Sequence, residues 1–128
     1  MSNLKLPVMN HGNLTRLVGE RYEKRIAHNT TATVYNDHVA VAYHGNFIAA
    51  IYEGSVYLST AGWATQTTVT RLNRILTDNL PMSPYRVAIR DFAVCLIDTR
   101  DKKARHYFRD VSVFADGLVM DSREKVSA

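Results

Sequence analysis

The sequence predicts an α+β fold: an antiparallel β-meander, one main α-helix, then three antiparallel strands, in one small domain. Three observations predict it. From Thr31 to Ser59, short β-branched and aromatic runs alternate with turn residues at hairpin spacing. The apolar period then lengthens, recurring every three or four positions at Val69, Leu72, Ile75 or Leu76, and Leu80. Short alternating runs return after Pro84. The 128 residues suit a single domain, one large enough to bury roughly two-thirds of its unfolded surface.

Residues 1–20 read as an N-terminal arm with a short helix. Met1 to about Gly12 has no apolar period, which predicts a loose arm. Asn13 is placed to cap a helix through Glu20, with Leu14, Leu17 and Val18 on one face and Gly19 limiting its length. The domain proper takes residues 21–121, and 122–128 form a tail. Glu20-Arg21-Tyr22-Glu23-Lys24-Arg25 interleaves both signs and reads as a solvated face.

Thr31 to Tyr35 and His38 to Tyr43 are the first two strands, joined at Asn36-Asp37. Val39, Val41 and Tyr43 share one face of the second. His44-Gly45-Asn46 turns the chain into Phe47 to Tyr52, and Glu53-Gly54-Ser55 turns it into Val56 to Ser59. The helix follows, capped by Thr65 or Thr67, with Arg71, Arg74 and Asp78 on its wetter faces. Pro81 ends it and Pro84 keeps the chain extended. Tyr85 to Ile89 and Phe92 to Ile97 are strands around an Arg90-Asp91 turn. Asp98 to Lys103 is a charged turn, and Ala104 to Phe108 is the returning strand. Val111 to Phe114 leads into the Asp116-Gly117 turn and a frayed tail. The helix is expected to pack on one curved sheet.

Composition excludes several classes. With 46% hydrophobic and 22% charged residues the chain is an ordinary globular one. The apolar run Phe47 to Tyr52 is far too short to span a membrane. The first residues lack the pattern of a signal peptide, so a cytosolic protein is expected. A net charge of +4 permits a nucleic acid or an acidic protein as partner, and solubility alone also accounts for it. The lone Cys95 excludes an internal disulfide, and its apolar neighbours suggest an inert, buried thiol.

The stretch from Ser59 to Leu76 turns at Gly62, carries the only tryptophan and enters the helix. Backbone N–H groups near Thr67 and Thr68 have no partner within the helix. With Trp63 as a stacking face, and Arg71 and Arg74 beyond, they suit a small anion, a nucleotide or a partner. The same residues also fit a plainer account: threonine caps, a core tryptophan and a solvated arginine.

Elsewhere the chemistry is sparse. His28, His38, His44 and His106 match no compact ligand spacing, so neither metal nor cofactor is expected. No serine sits in a glycine-flanked elbow and no Gly-rich phosphate loop occurs. No catalytic residue, and no enzyme, is expected. Arg86, Arg90, Arg105 and Arg109 interleave with aromatics, which suits a single nucleic-acid strand if both residue types share a face. Strand alternation sends them to opposite faces if they do not. The edges of an open sheet leave pairing into a homo-oligomer as a further expectation.

One resemblance spans about residues 25 to 120. Its elements are His28-Asn29-Thr30-Thr31, His44-Gly45-Asn46, Ser59…Gly62-Trp63…Thr67-Thr68…Arg71-Leu72-Asn73, Tyr85-Arg86-Val87 and Phe114-Ala115-Asp116-Gly117. In this order they resemble a set of small orphan proteins encoded by tailed bacteriophages, with Ala61 standing where a second glycine is usual. The resemblance implies a phage protein made in the host bacterial cytoplasm, and no agreed enzymatic activity. Small phage accessory proteins commonly bind a host factor or block a defence. The expectation is therefore a non-enzymatic protein that binds and inhibits a bacterial host or defence component. Its contact surface would include Trp63, Thr67, Thr68, Arg71 and Arg74. The alternatives are sequestration of a small nucleotide signal at the helix start, and nucleic-acid binding.

Overall fold

The structure, a computed structural model, describes residues 6–62 and 64–121. The fold is α+β, with two helices and ten strands among the described residues. Helix α1 (His11–Val18) precedes strands β1 (Glu23–Ala27), β2 (Thr30–Val34), β3 (Val39–Tyr43), β4 (Asn46–Tyr52) and β5 (Ser55–Ser59). Helix α2 (Gln66–Asn79) follows, then β6 (Tyr85–Arg90), β7 (Ala93–Asp98), β8 (Asp101–Tyr107), β9 (Asp110–Phe114) and β10 (Val119–Asp121).

Two antiparallel sheets form where one was expected. The larger has the order β1-β2-β3-β4-β5-β9-β10; the smaller is β6-β7-β8. Val111 to Phe114 lies in β9 and leads into the Asp116-Gly117 turn as expected, and the expected tail, 122–128, lies outside the described residues. Strand β9 pairs with the open edge of β5, Val56 opposite Val113 and Leu58 opposite Val111, so the ladder continues across the sheet. These valines and Leu58 are fully buried, and their apolar match fixes the register.

Period-two alternation explains the meander. Val39 faces Ile51, Val41 faces Ala49, and Ala49 faces Leu58, giving one continuous apolar face. A register shift in the β3–β4 pair pairs Ala42 with Phe47 and leaves Ile48 as the extra residue, buried beside Ala49. Helix α2 packs on β4 and β5 through Val69, Leu72, Ile75 and Leu76, and meets β6 with the same body. It is therefore the element shared by the two sheets.

The charged cluster after Glu20 was not expected to pair, yet Glu23–Ala27 is an edge strand on β2. Its exposed charges suit an edge, where they discourage further pairing. Asn10, not Asn13, caps α1, accepting from the Asn13 N–H at 2.8 Å. The expected loose arm is instead strapped down at its inner end. Met9 is fully buried; its N–H donates to Asp78 at 2.9 Å and its carbonyl accepts from Asn79 at 2.8 Å. Polar residues near the end of α2 thus hold an extended segment.

Candidate functional site

The expected contact surface at the start of α2 is largely an internal clamp. Thr65 is the cap, its hydroxyl accepting from the Thr68 N–H at 3.4 Å. Thr68 is buried and takes a hydrogen bond from the Thr65 hydroxyl at 3.0 Å. Arg71 requires a correction: it lies not on a wet face but 2% exposed in the core. Its Nε donates to Thr30 Oγ1 at 2.8 Å, Nη1 to the Thr67 carbonyl at 3.0 Å and Nη2 to the His28 carbonyl at 3.0 Å. The guanidinium carbon also sits 3.8 Å over the Tyr43 ring. Burial pulls this guanidinium below its ordinary value and Tyr43 pushes the other way, but an arginine stays charged there.

Arg74 pairs with Asp78 at 3.4 Å and donates to the Pro7 carbonyl at 3.0 Å, so it too holds the arm. Trp63 lies outside the described residues. Thr67 remains exposed and helps line a 480 Å³ pocket with Tyr43, His44, Asn46 and Thr65. Two pairs of segments quoted for the resemblance meet here. Arg71 reaches His28 and Thr30, while the Asn73 amide exchanges two 2.8 Å hydrogen bonds with the Val87 backbone. Asn73 thereby acts as a strand partner and fixes β6 to α2.

The nucleic-acid candidates fare differently. Register places Arg86 opposite Ile97 and Ile97 opposite Arg105, so the two arginines flank one rung of the small sheet. The next rung is Ala88, Cys95 and Tyr107, and the last is Arg90 with Ala93. Alternation puts all of these on the outward face, while Val87, Val94 and Leu96 face the core. Arginines and Tyr107 therefore share a face. Arg86, Arg90 and Arg105 converge on one 450 Å³ hollow. Cys95 is fully buried between them; burial pushes its thiol up, and Arg90 and Arg105 pull part of the way back.

Arg109 lies elsewhere, on a 400 Å³ groove with Gly62, Ala64, Phe92 and Tyr107. Sequence reasoning missed the most exposed of these. Phe92 was read as the start of a strand, but the pairing of Arg90 with Ala93 makes Asp91-Phe92 the turn. Both turn residues have positive φ, 53° and 64°, the conformation of a tight hairpin turn that favours glycine second. Phe92 is 97% exposed. Beside it, Asp91 accepts from the Tyr107 hydroxyl at 3.0 Å and lies 3.6 Å from Arg105. Among the described residues no three of His, Cys, Asp and Glu gather as a metal set.

The expected phage origin has direct support, because a model of a phage protein family covers residues 8–118. The family is described as the Kyanoviridae Gp96 protein, and the chain belongs to it. No curated protein matches the chain, and neither does any solved structure. Among the described residues no helix is long and apolar enough to cross a membrane.

Proposed function

We propose that this phage protein acts by binding rather than catalysis, engaging and inhibiting a host or defence protein in the bacterial cytoplasm. The docking surface is the groove at the β6–β7 turn, anchored by Phe92. One observation carries this reading: Phe92 combines near-complete exposure with positive φ. A bulky side chain in the left-handed region costs about 1–2 kcal/mol, and the bare ring gains nothing from burial. Stability accounts for neither feature, whereas an aromatic anchor beside arginine and tyrosine has the make-up of an interface hot spot. The Asp91 carboxylate beside Phe92 favours a partner that brings a positive group to this groove.

The test is affinity capture from host lysate with nuclease present, comparing the natural chain with Phe92→Gly. Glycine suits the turn, so the variant should gain about 1 kcal/mol of stability, roughly 4 °C in Tm. It should also lose the captured protein. Retention of the same partner at the same stoichiometry by Phe92→Gly would sink the proposal. So would nucleotide turnover abolished by a point mutation.

A further inference from the structure

The outward face of the small sheet carries a second kind of chemistry, and it adjoins the Phe92 groove through Tyr107 and the Asp91–Arg105 pair. Arg86 and Arg90 lie four residues apart on β6, roughly 13 Å along the strand. Arg105 stands two strands away from Arg86, about 10 Å across. All three border one hollow whose floor includes Ala88 and Ile97. Their charge is poorly compensated. The Arg86 Nη1 donates to the Ser83 carbonyl at 2.9 Å and the Arg90 Nη1 to the Ile89 carbonyl at 2.9 Å. Among the described residues neither has a carboxylate partner; Arg105 bonds the Tyr107 side chain, and the one carboxylate described beside it is Asp91, 83% exposed on its side chain. An ion pair that open to water is worth little.

Backbone carbonyls thus fix one nitrogen of each fork, those of Ser83 and Tyr85 for Arg86 and that of Ile89 for Arg90, and no described contact spends Nε or Nη2. That is a pre-positioned donor edge of the shape that takes two oxygens of a phosphate. Bringing three like charges to one face costs folding energy, which a polyanion would offset. The middle rung supplies the other half of the chemistry: Ala88 and Cys95 keep it low, and the Tyr107 ring, 40% exposed, stands at its end. Bases inside a duplex are stacked away from such a ring, while those of a single strand can reach it.

We propose that this face binds single-stranded nucleic acid, with phosphates on Arg86, Arg90 and Arg105 and a base on Tyr107. The test is fluorescence anisotropy with labelled oligo-dT, oligo-rU, a duplex and poly-glutamate, from about 50 to 500 mM NaCl. One of the single strands should bind, with log K falling against log salt at a slope of about −2, from three contacts at roughly −0.7 each. Preference between oligo-dT and oligo-rU tells DNA from RNA. Arg86→Gln with Arg90→Gln should flatten the slope by about 1.4, two contacts at roughly 0.7 each, and weaken binding at least about tenfold, while thermal unfolding reads separately the cost of losing the half-buried Arg86 bonds to the Ser83 and Tyr85 carbonyls. Phe92→Gly should leave the slope as it is, so loss of protein capture and loss of this binding are read separately. Failure to bind any single strand at low salt would overturn the proposal. So would equal binding of duplex or poly-glutamate, or a slope indifferent to the double substitution.

Discussion

Arg71 shows how one side chain can be charged, buried and structural at once. Three donors meet three oxygens and the ring of Tyr43 covers the cation, so three hydrogen bonds and a ring face answer its desolvation. A lysine ammonium is a point charge and cannot span the same three acceptors. Arg71→Lys is therefore expected to lower stability by about 2 kcal/mol, roughly 8 °C in Tm, as read by thermal unfolding. An arginine there for an exposed ligand alone would tolerate the change. Helical periodicity placed it in water because the residues that bury it, His28 and Thr30, lie far off in sequence. Phe92 was illegible for a related reason. A phenylalanine beside apolar residues reads as strand, and only the pairing of Arg90 with Ala93 makes it the turn.

Among the elements, α2 and the β3–β5 meander were legible because each buries one face at one period. Strand β1 was not: an edge strand made of Glu, Lys and Arg carries almost no apolar alternation. Nor was the split into two sheets, since it depends on β9 returning to β5 instead of β8. The arginine face was half legible. The residues could be named, but whether they shared a side required the register. The β7–β8 turn offers a pH test. The Asp98 carboxylate accepts from the Arg100 N–H at 2.9 Å, Nε at 3.0 Å and Nη2 at 2.8 Å. Arg100's side chain, then its backbone N–H, holds Asp98 below its ordinary value of 3.8. A carboxyl group depressed in the fold stabilises at and above its unfolded pKa, and that contribution fades as pH falls through the lower folded value. Chemical-shift titration of Asp98 should give a midpoint below 3.8, returning toward it in Arg100→Ala. An unshifted midpoint would contradict the turn geometry.

For the molecule as a whole, charge is unevenly placed. Residues 85–107 hold six basic and three acidic side chains, so three of the four net charges lie in the small sheet and the rest of the chain is nearly neutral. A single positive sector orients the protein toward a negative partner before contact. Attachment of that sector runs through α2, and so does attachment of the arm. Asn79 accepts from the His11 N–H at 3.2 Å and donates to the Met9 carbonyl at 2.8 Å. Asn79→Ala is expected to cost about 2 kcal/mol and to speed amide exchange at His11 beyond what lower global stability explains. Exchange at His11 rising only in step with the core amides would show that the strap carries no local role.

The return of β9 to β5 also bears on synthesis. A ribosome releases the chain from its N-terminus, so β1 to β5 are made well before β9 exists. During that interval Ser55 to Ser59 has β4 on one side and nothing on the other. Pairings between distant segments form slowly because the intervening chain must first close a loop. Until Phe114 emerges and meets Ser55, the nascent meander presents an unprotected edge. The stretch most exposed to mispairing is thus one made in the first half of the chain, and its protection comes from nearly the last strand to be made.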